Sequence, residues 1–145
     1  YCTAARSRDR YCTGVIEEGM SFSPAEPYEV TDAEVRAFSE VLGQPVGEFA
    51  PPTFVNAVLE TAVRLLINSG VFDSVPAAVH SSESVTYSRL LKVGDLVRTR
   101  LDVTGVRQRS SVTQFDTLGV LTAEDGTEIA RVKSTLAYET LEAAE

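Results

Sequence analysis

Histidine occurs once in this chain, as His80, methionine once, as Met20, and tryptophan not at all. Only two cysteines, Cys2 and Cys12, join them. A structural zinc site draws on about four such ligands at close spacing, so no metal is expected. Basic residues are also scarce: 13 lysines and arginines stand against 21 aspartates and glutamates, for a net charge of −8. Nucleic-acid-binding modules present a basic face, so nucleic acid is not an expected partner. There is no apolar core for a signal peptide and no uninterrupted spanning run, so a cytoplasmic protein with no membrane partner is the default expectation. The chain opens on Tyr1, which leaves a processed end, a trimmed end or a disordered extension as readings of its first residues.

What is present is ordinary in bulk and particular in pattern. With 145 residues, 43% of them hydrophobic and 23% charged, the chain is long enough for one domain with a substantial core. Residues 1–16 read as an N-terminal arm, and residues 17–145 as the domain. The arm carries Arg6, Arg8 and Arg10, a basic patch on an acidic protein, and mobility is its simpler reading. A disulfide between Cys2 and Cys12 is the minority reading.

"YEVTDAEVRAFSEVLG" gives a helix that begins at Thr31 or Asp32 and ends at Gly43. Its apolar face is expected at Val35, Phe38, Val41 and Leu42. "PPTFVNAVLETAVRLLINSG" gives a second helix, Thr53–Ser69, with Thr53 as N-cap and Asn68, Ser69 and Gly70 as the stop. Two adjacent apolar stripes, Phe54, Val58, Thr61, Leu65 and Val55, Leu59, Ala62, Leu66, leave one narrow polar line at Asn56, Glu60, Arg64 and Asn68. Such proportions predict a mostly enclosed helix.

Beyond Pro76 the period changes from helical to two-residue alternation. Val97, Thr99, Leu101 and Val103 fall on one face of a strand, and Arg98, Arg100, Asp102 and Thr104 on the other. "KVGD" and "EDGTE" are turns, and the last strand puts Ala130, Val132, Leu136 and Tyr138 on one side. One apolar helix followed by long antiparallel strands predicts an α+β hot-dog fold. In it a long curved antiparallel sheet wraps round the central helix, and a second sheet is expected to complete a double hot-dog dimer.

These segments resemble the MaoC-like dehydratase and hydratase family of hot-dog proteins, in particular its N-terminal or non-catalytic-subunit subgroup. The matching stretches are "EEGMSF", "YEVTDAEVRAFSEVLG", "APPTF", "VHSSESVTYSRLLKVGD" and "GTEIARVKSTLAYE", within residues 17–140. The resemblance implies an acyl thioester of coenzyme A or acyl carrier protein as substrate, no cofactor, and addition or removal of water across its α,β bond. It also implies a homodimer, or a heterodimer with a catalytic MaoC-like subunit. Active members carry an Asp and a His in a Gly-Asp-x-Asn-Pro-x-His segment just before the central helix. Here that segment reads "LGQPVGEFAPPTF": Gln44 follows Gly43 and no histidine appears.

The family pair is therefore missing, and other residues become candidates. His80 is a possible general acid/base, or a strand histidine with structural hydrogen bonds. Glu60 is a possible base, or the partner of Arg64 one turn on. Glu48 is a possible base at the pocket mouth, or a solvated loop charge. Thr53, Phe54 and Asn56 are the substrate-binding candidates, the first two as the helix N-terminus that would polarise a thioester carbonyl. Arg89, Arg98, Arg100, Arg107 and Arg109 could attract phosphate or simply face water. The expected function is an acyl-thioester-binding protein of the 3-hydroxyacyl dehydratase, or enoyl hydratase, type. The alternatives are a non-catalytic partner subunit of a heteromeric dehydratase and, third, a hot-dog thioesterase relying on Glu60.

Overall fold

A computed structural model describes residues 15–72 and 77–139. Cys2, Cys12 and the three arm arginines lie outside the described residues. Ile16, assigned to the end of the arm, is buried in the core.

Two short strands, β1 (Ser21–Phe22) and β2 (Tyr28–Glu29), precede helix α1 (Asp32–Leu42) and helix α2 (Val55–Leu66). Four long strands follow: β3 (Ala78–Tyr87), β4 (Leu96–Arg109), β5 (Val112–Ala123) and β6 (Glu128–Glu139). All pairings are antiparallel, in the order β1-β4-β5-β6-β3, with β2 also on β4. β3 pairs with β6 alone among the described residues and so leaves the sheet an open edge. The turns fall where glycine allows them: Gly94 and Gly126 have positive φ in "KVGD" and "EDGTE".

The alternation of β4 is as read: Val97, Thr99, Leu101 and Val103 are buried, and Arg98, Arg100 and Thr104 are exposed. The buried face of the sheet meets Val55, Val58, Leu59, Ala62 and Leu66 of α2. Burying such side chains contributes about 1.5–3 kcal/mol each, so this contact is a substantial part of the fold's stability. Gly119 of β5 lets the helix come close, because a Cβ there would lie 2.6 Å from a methyl of Leu59.

Three expectations need correction. α2 is enclosed on its sheet side only: Leu65 and Ile67 are 39% and 50% exposed, since a single sheet covers one side of a helix. Thr53 is not an N-cap. The helix is led by a 3₁₀ turn, Pro52–Phe54, entered from extended Pro51, and no side chain caps it. Proline at the first position fixes the entry dihedral instead. In α1, Thr31 does cap, accepting from the Glu34 N–H at 3.3 Å, and Gly43 closes the helix in left-handed conformation. Val41 and Leu42, however, are 88% and 45% exposed, while Ser39 is buried and donates to the Val35 carbonyl at 2.7 Å. α1 meets the core only through Val35, Ser39 and half-buried Phe38, so its last turn runs clear of it.

Candidate functional site

Between α2 and the β5-β6-β3 part of the sheet lies a groove of about 510 Å³. From α2 and the turn after it, Asn56, Leu59, Glu60, Val63, Leu66 and Ile67 face it. At about 1.5 Å rise per residue, this wall is roughly 16 Å long. The sheet floor follows the pairing register. Thr117, Ser134 and Glu83 are neighbours across β5, β6 and β3, and the next inward row is Phe115, Leu136 and His80. The groove therefore has a polar stretch at Asn56, Glu60, Glu83, Ser134 and Thr117. A mostly apolar stretch follows at Leu66, Ile67, Phe72, Phe115 and Leu136, with His80 beside Leu136. A few polar groups in a mostly apolar concavity is the usual make-up of a small-molecule site.

The far end is aromatic. After α2 a single wide turn, Ile67–Val71, contains Gly70 at φ 95° and brings Phe72 back over the sheet. Phe72 lies 5.8 Å from Phe115 and 5.7 Å, edge-on, from Tyr138, measured between ring centres. Those separations suit favourable aromatic pairing.

The structure places His80, Glu60 and Asn56 on the lining of this one groove. Glu60 is held by Arg64 through bonds of 3.0 and 3.2 Å, on the exposed side of α2. Glu48 is elsewhere: it pairs with Lys92 at 3.2 Å, and the Val93 N–H donates to its carbonyl at 3.0 Å. Phe49 bridges to Lys92, and the Ala50 N–H donates to the Leu91 carbonyl at 2.7 Å. The loop is stitched to the turn before β4, away from the groove.

Thr53 is exposed and does not line the groove. Phe54, read as substrate-binding, is instead a core residue, 1% exposed and edge-on to Phe38 at 5.3 Å. The helix entrance is also poor in free donors. Pro51 and Pro52 carry no N–H, and the Phe54 N–H is bonded to the Pro51 carbonyl at 2.9 Å. An oxyanion needs N–H groups aimed at it, so the entrance is weakly equipped to polarise a thioester.

Sequence reasoning missed Glu83, Ser134 and Thr117. Their signal was the two-residue alternation, which puts Ser134 on the same side as Val132 and Leu136. Glu83 raises the pKa of Tyr87, on the same strand, but burial does so more strongly, and together they push that phenol up to about 12. Among the arginines, Arg89, Arg100 and Arg107 are engaged with Asp95, Asp102 and Asp116. No cluster of three or more metal-binding side chains occurs among the described residues.

No family model matches the chain. A UPF0336 protein of Cutibacterium acnes is 28% identical over 128 residues, covering 81% of this chain and 88% of that protein. The structure superimposes on a truncated HadBC (3R-hydroxyacyl-ACP dehydratase) complex from Mycobacterium tuberculosis with a TM-score of 0.72 and 18% identity, over 86% of this chain and 98% of that one. It superimposes on a MaoC-like dehydratase with a TM-score of 0.75 and 17% identity, over 86% of this chain and 43% of that one. The fold is that of the MaoC-like hot-dog dehydratases. A thioesterase superfamily member from Thermus thermophilus shares it, with a TM-score of 0.64 and 16% identity over 86% of this chain and 85% of that one.

Proposed function

We propose that the chain binds the acyl part of a coenzyme A or carrier-protein thioester and serves as the non-catalytic subunit of a heteromeric 3-hydroxyacyl-thioester dehydratase. The observation that carries this reading is a groove suited to an acyl chain beside a helix entrance that lacks the acid-base pair. Hydration of a 2-enoyl thioester requires a base to activate water and an acid to protonate the α carbon. The segment from Gly43 to Thr53 offers only Glu48 for such work, and Glu48 is tied to Lys92 outside the groove. At the helix entrance Pro51 and Pro52 deplete the N–H donors.

A partner hot-dog chain carrying the Asp and His would supply the chemistry while this chain holds the acyl tail. Ile67, 50% exposed, lines the groove, and β3, whose Ala78, His80 and Glu83 line it too, presents an edge with no strand partner among the described residues. Both features favour a partner there. A second copy of the same chain could cover them, but would leave both helix entrances without the pair.

A second reading has one observation in its favour: His80 and Glu60 line the same groove. They would make a relocated acid-base set for a lyase acting alone. One assay separates the readings. The purified chain is tested for hydration of a 2-enoyl thioester, alone and mixed with a hot-dog chain that carries the Asp and His. The expected result is no turnover alone and turnover in the mixture above that of the partner by itself. Turnover by the lone chain that disappears in both His80→Ala and Glu60→Gln would overturn the subunit reading in favour of the relocated set. Thiol release without hydration would turn it toward a thioesterase.

A further inference from the structure

Phe72 lines the groove at the end where the regular helix stops. The helical wall runs from Asn56 to Ile67, and beyond Ile67 the regular helix ends. The wide turn with Gly70 in left-handed conformation reverses the chain, a geometry that a side chain at that position would strain. Phe72 thereby reaches the groove lining with its ring packed on Phe115 and Tyr138. Phe115 is fully buried and Tyr138 nearly so, which makes the seat rigid, whereas Phe72 itself is only half-buried. Among the described residues, Leu66, Ile67, Phe115 and Leu136 line this end of the groove, with His80 opposite Leu136 as its polar neighbour.

We infer that Phe72 is the end wall of the acyl groove and sets the longest straight acyl chain the protein accepts. The inference rests on the acyl-binding reading above and adds a specificity residue to it. The polar stretch at Asn56, Glu60, Glu83 and Ser134 takes the thioester and β-carbon end, and the tail runs inward past Leu66 and Leu136 until its terminal methyl meets the Phe72 ring. Each further CH₂ buried on the way strengthens binding about four-fold. A chain longer than the groove must displace the ring from its aromatic seat or fold back into water, so the gain stops there.

The test is calorimetric titration of the full chain with straight-chain acyl pantetheine thioesters of increasing length. The wild type should show affinity that climbs about four-fold per CH₂ and stops climbing at a limiting length. Phe72→Ala should shift that limit to longer chains and leave the shortest chains unaffected. Phe72→Leu should give a smaller shift, and stands in if the alanine variant does not fold. Ile67→Phe, at a half-exposed position facing the same end, should shift the limit to shorter chains. A limit that stays put in the Phe72 and Ile67 variants, or an equal loss at every length, would overturn the end wall while acyl binding stands. Failure of every length to bind the wild type, both alone and with a catalytic partner chain, would remove the acyl reading itself and this inference with it.

Discussion

Gly119 and Tyr87 show how single atoms set the limits of this core. At Gly119 the space of a Cβ is already taken by the Leu59 methyls, at 2.6 and 2.8 Å. Gly119→Ala should therefore destabilise the protein by about 1–3 kcal/mol, measured by urea unfolding. Combining it with Leu59→Ala should cost less than the sum of the two single changes, because the sites share one clash. Tyr87 presents the opposite case, a hydroxyl shut away from water with no hydrogen-bond partner among the described residues. Burial, and secondarily Glu83, raises its pKa to about 12, against about 10 in an unfolded chain. Its contribution to stability is complete below pH 10 and is lost as pH rises toward 12. Tyr87→Phe should leave stability at pH 7 unchanged or raised by up to about 1 kcal/mol, and should flatten the decline between pH 10 and 12. Urea titrations of both proteins across that range provide the check.

At the level of elements, the turn that launches β4 depends on one carboxylate. Asp95 accepts from the Lys92 N–H at 2.8 Å and from the Arg89 guanidinium at 2.8 and 3.2 Å. Burial is the largest single influence on Asp95 and works against ionisation, yet Arg89 and the Lys92 N–H together outweigh it and hold its pKa below the ordinary value. The stability this provides is present above the unfolded pKa of about 3.9 and is lost as pH falls through the lower folded value. Asp95→Asn should cost about 1 kcal/mol at pH 7, a low figure because Arg89 is partly exposed. The difference from wild type should shrink below pH 4, as urea unfolding at pH 7 and pH 3 would reveal. Elements of this kind were legible in the sequence: alternation gave β4, Gly94 and Gly126 gave turns, and Thr31 with Gly43 bracketed α1. The ends of helices were less so. Thr53 is a good cap in isolation, but Pro51 and Pro52 had already fixed the entry. Val41 and Leu42 continue an apolar period past the point where α1 parts from the core.

For the whole molecule, the hot-dog arrangement was readable because one apolar helix and a run of long strands have few ways to bury each other. The groove was only half readable. His80, Glu60 and Asn56 stand out as chemistry-bearing residues on a strand or a helix. Glu83, Ser134 and Thr117 come together only through the register of three strands, which pairings far apart in sequence decide. The open side of α2 was misjudged for a related reason: Leu65 read as part of an enclosed face, and a single sheet leaves it, and Ile67 beyond it, exposed. Everything functional in the account depends on the groove between α2 and β5-β6-β3 being where an acyl chain lies. The most direct measurement is photolabelling with an acyl pantetheine thioester that bears a diazirine near its tail, followed by peptide mapping. Labels should concentrate at Leu66, Ile67, Phe72 and Leu136 and be competed by unmodified acyl thioester. Labelling confined to the outer, polar face of the sheet, at Arg98, Arg100, Thr104 or Lys133, would contradict it.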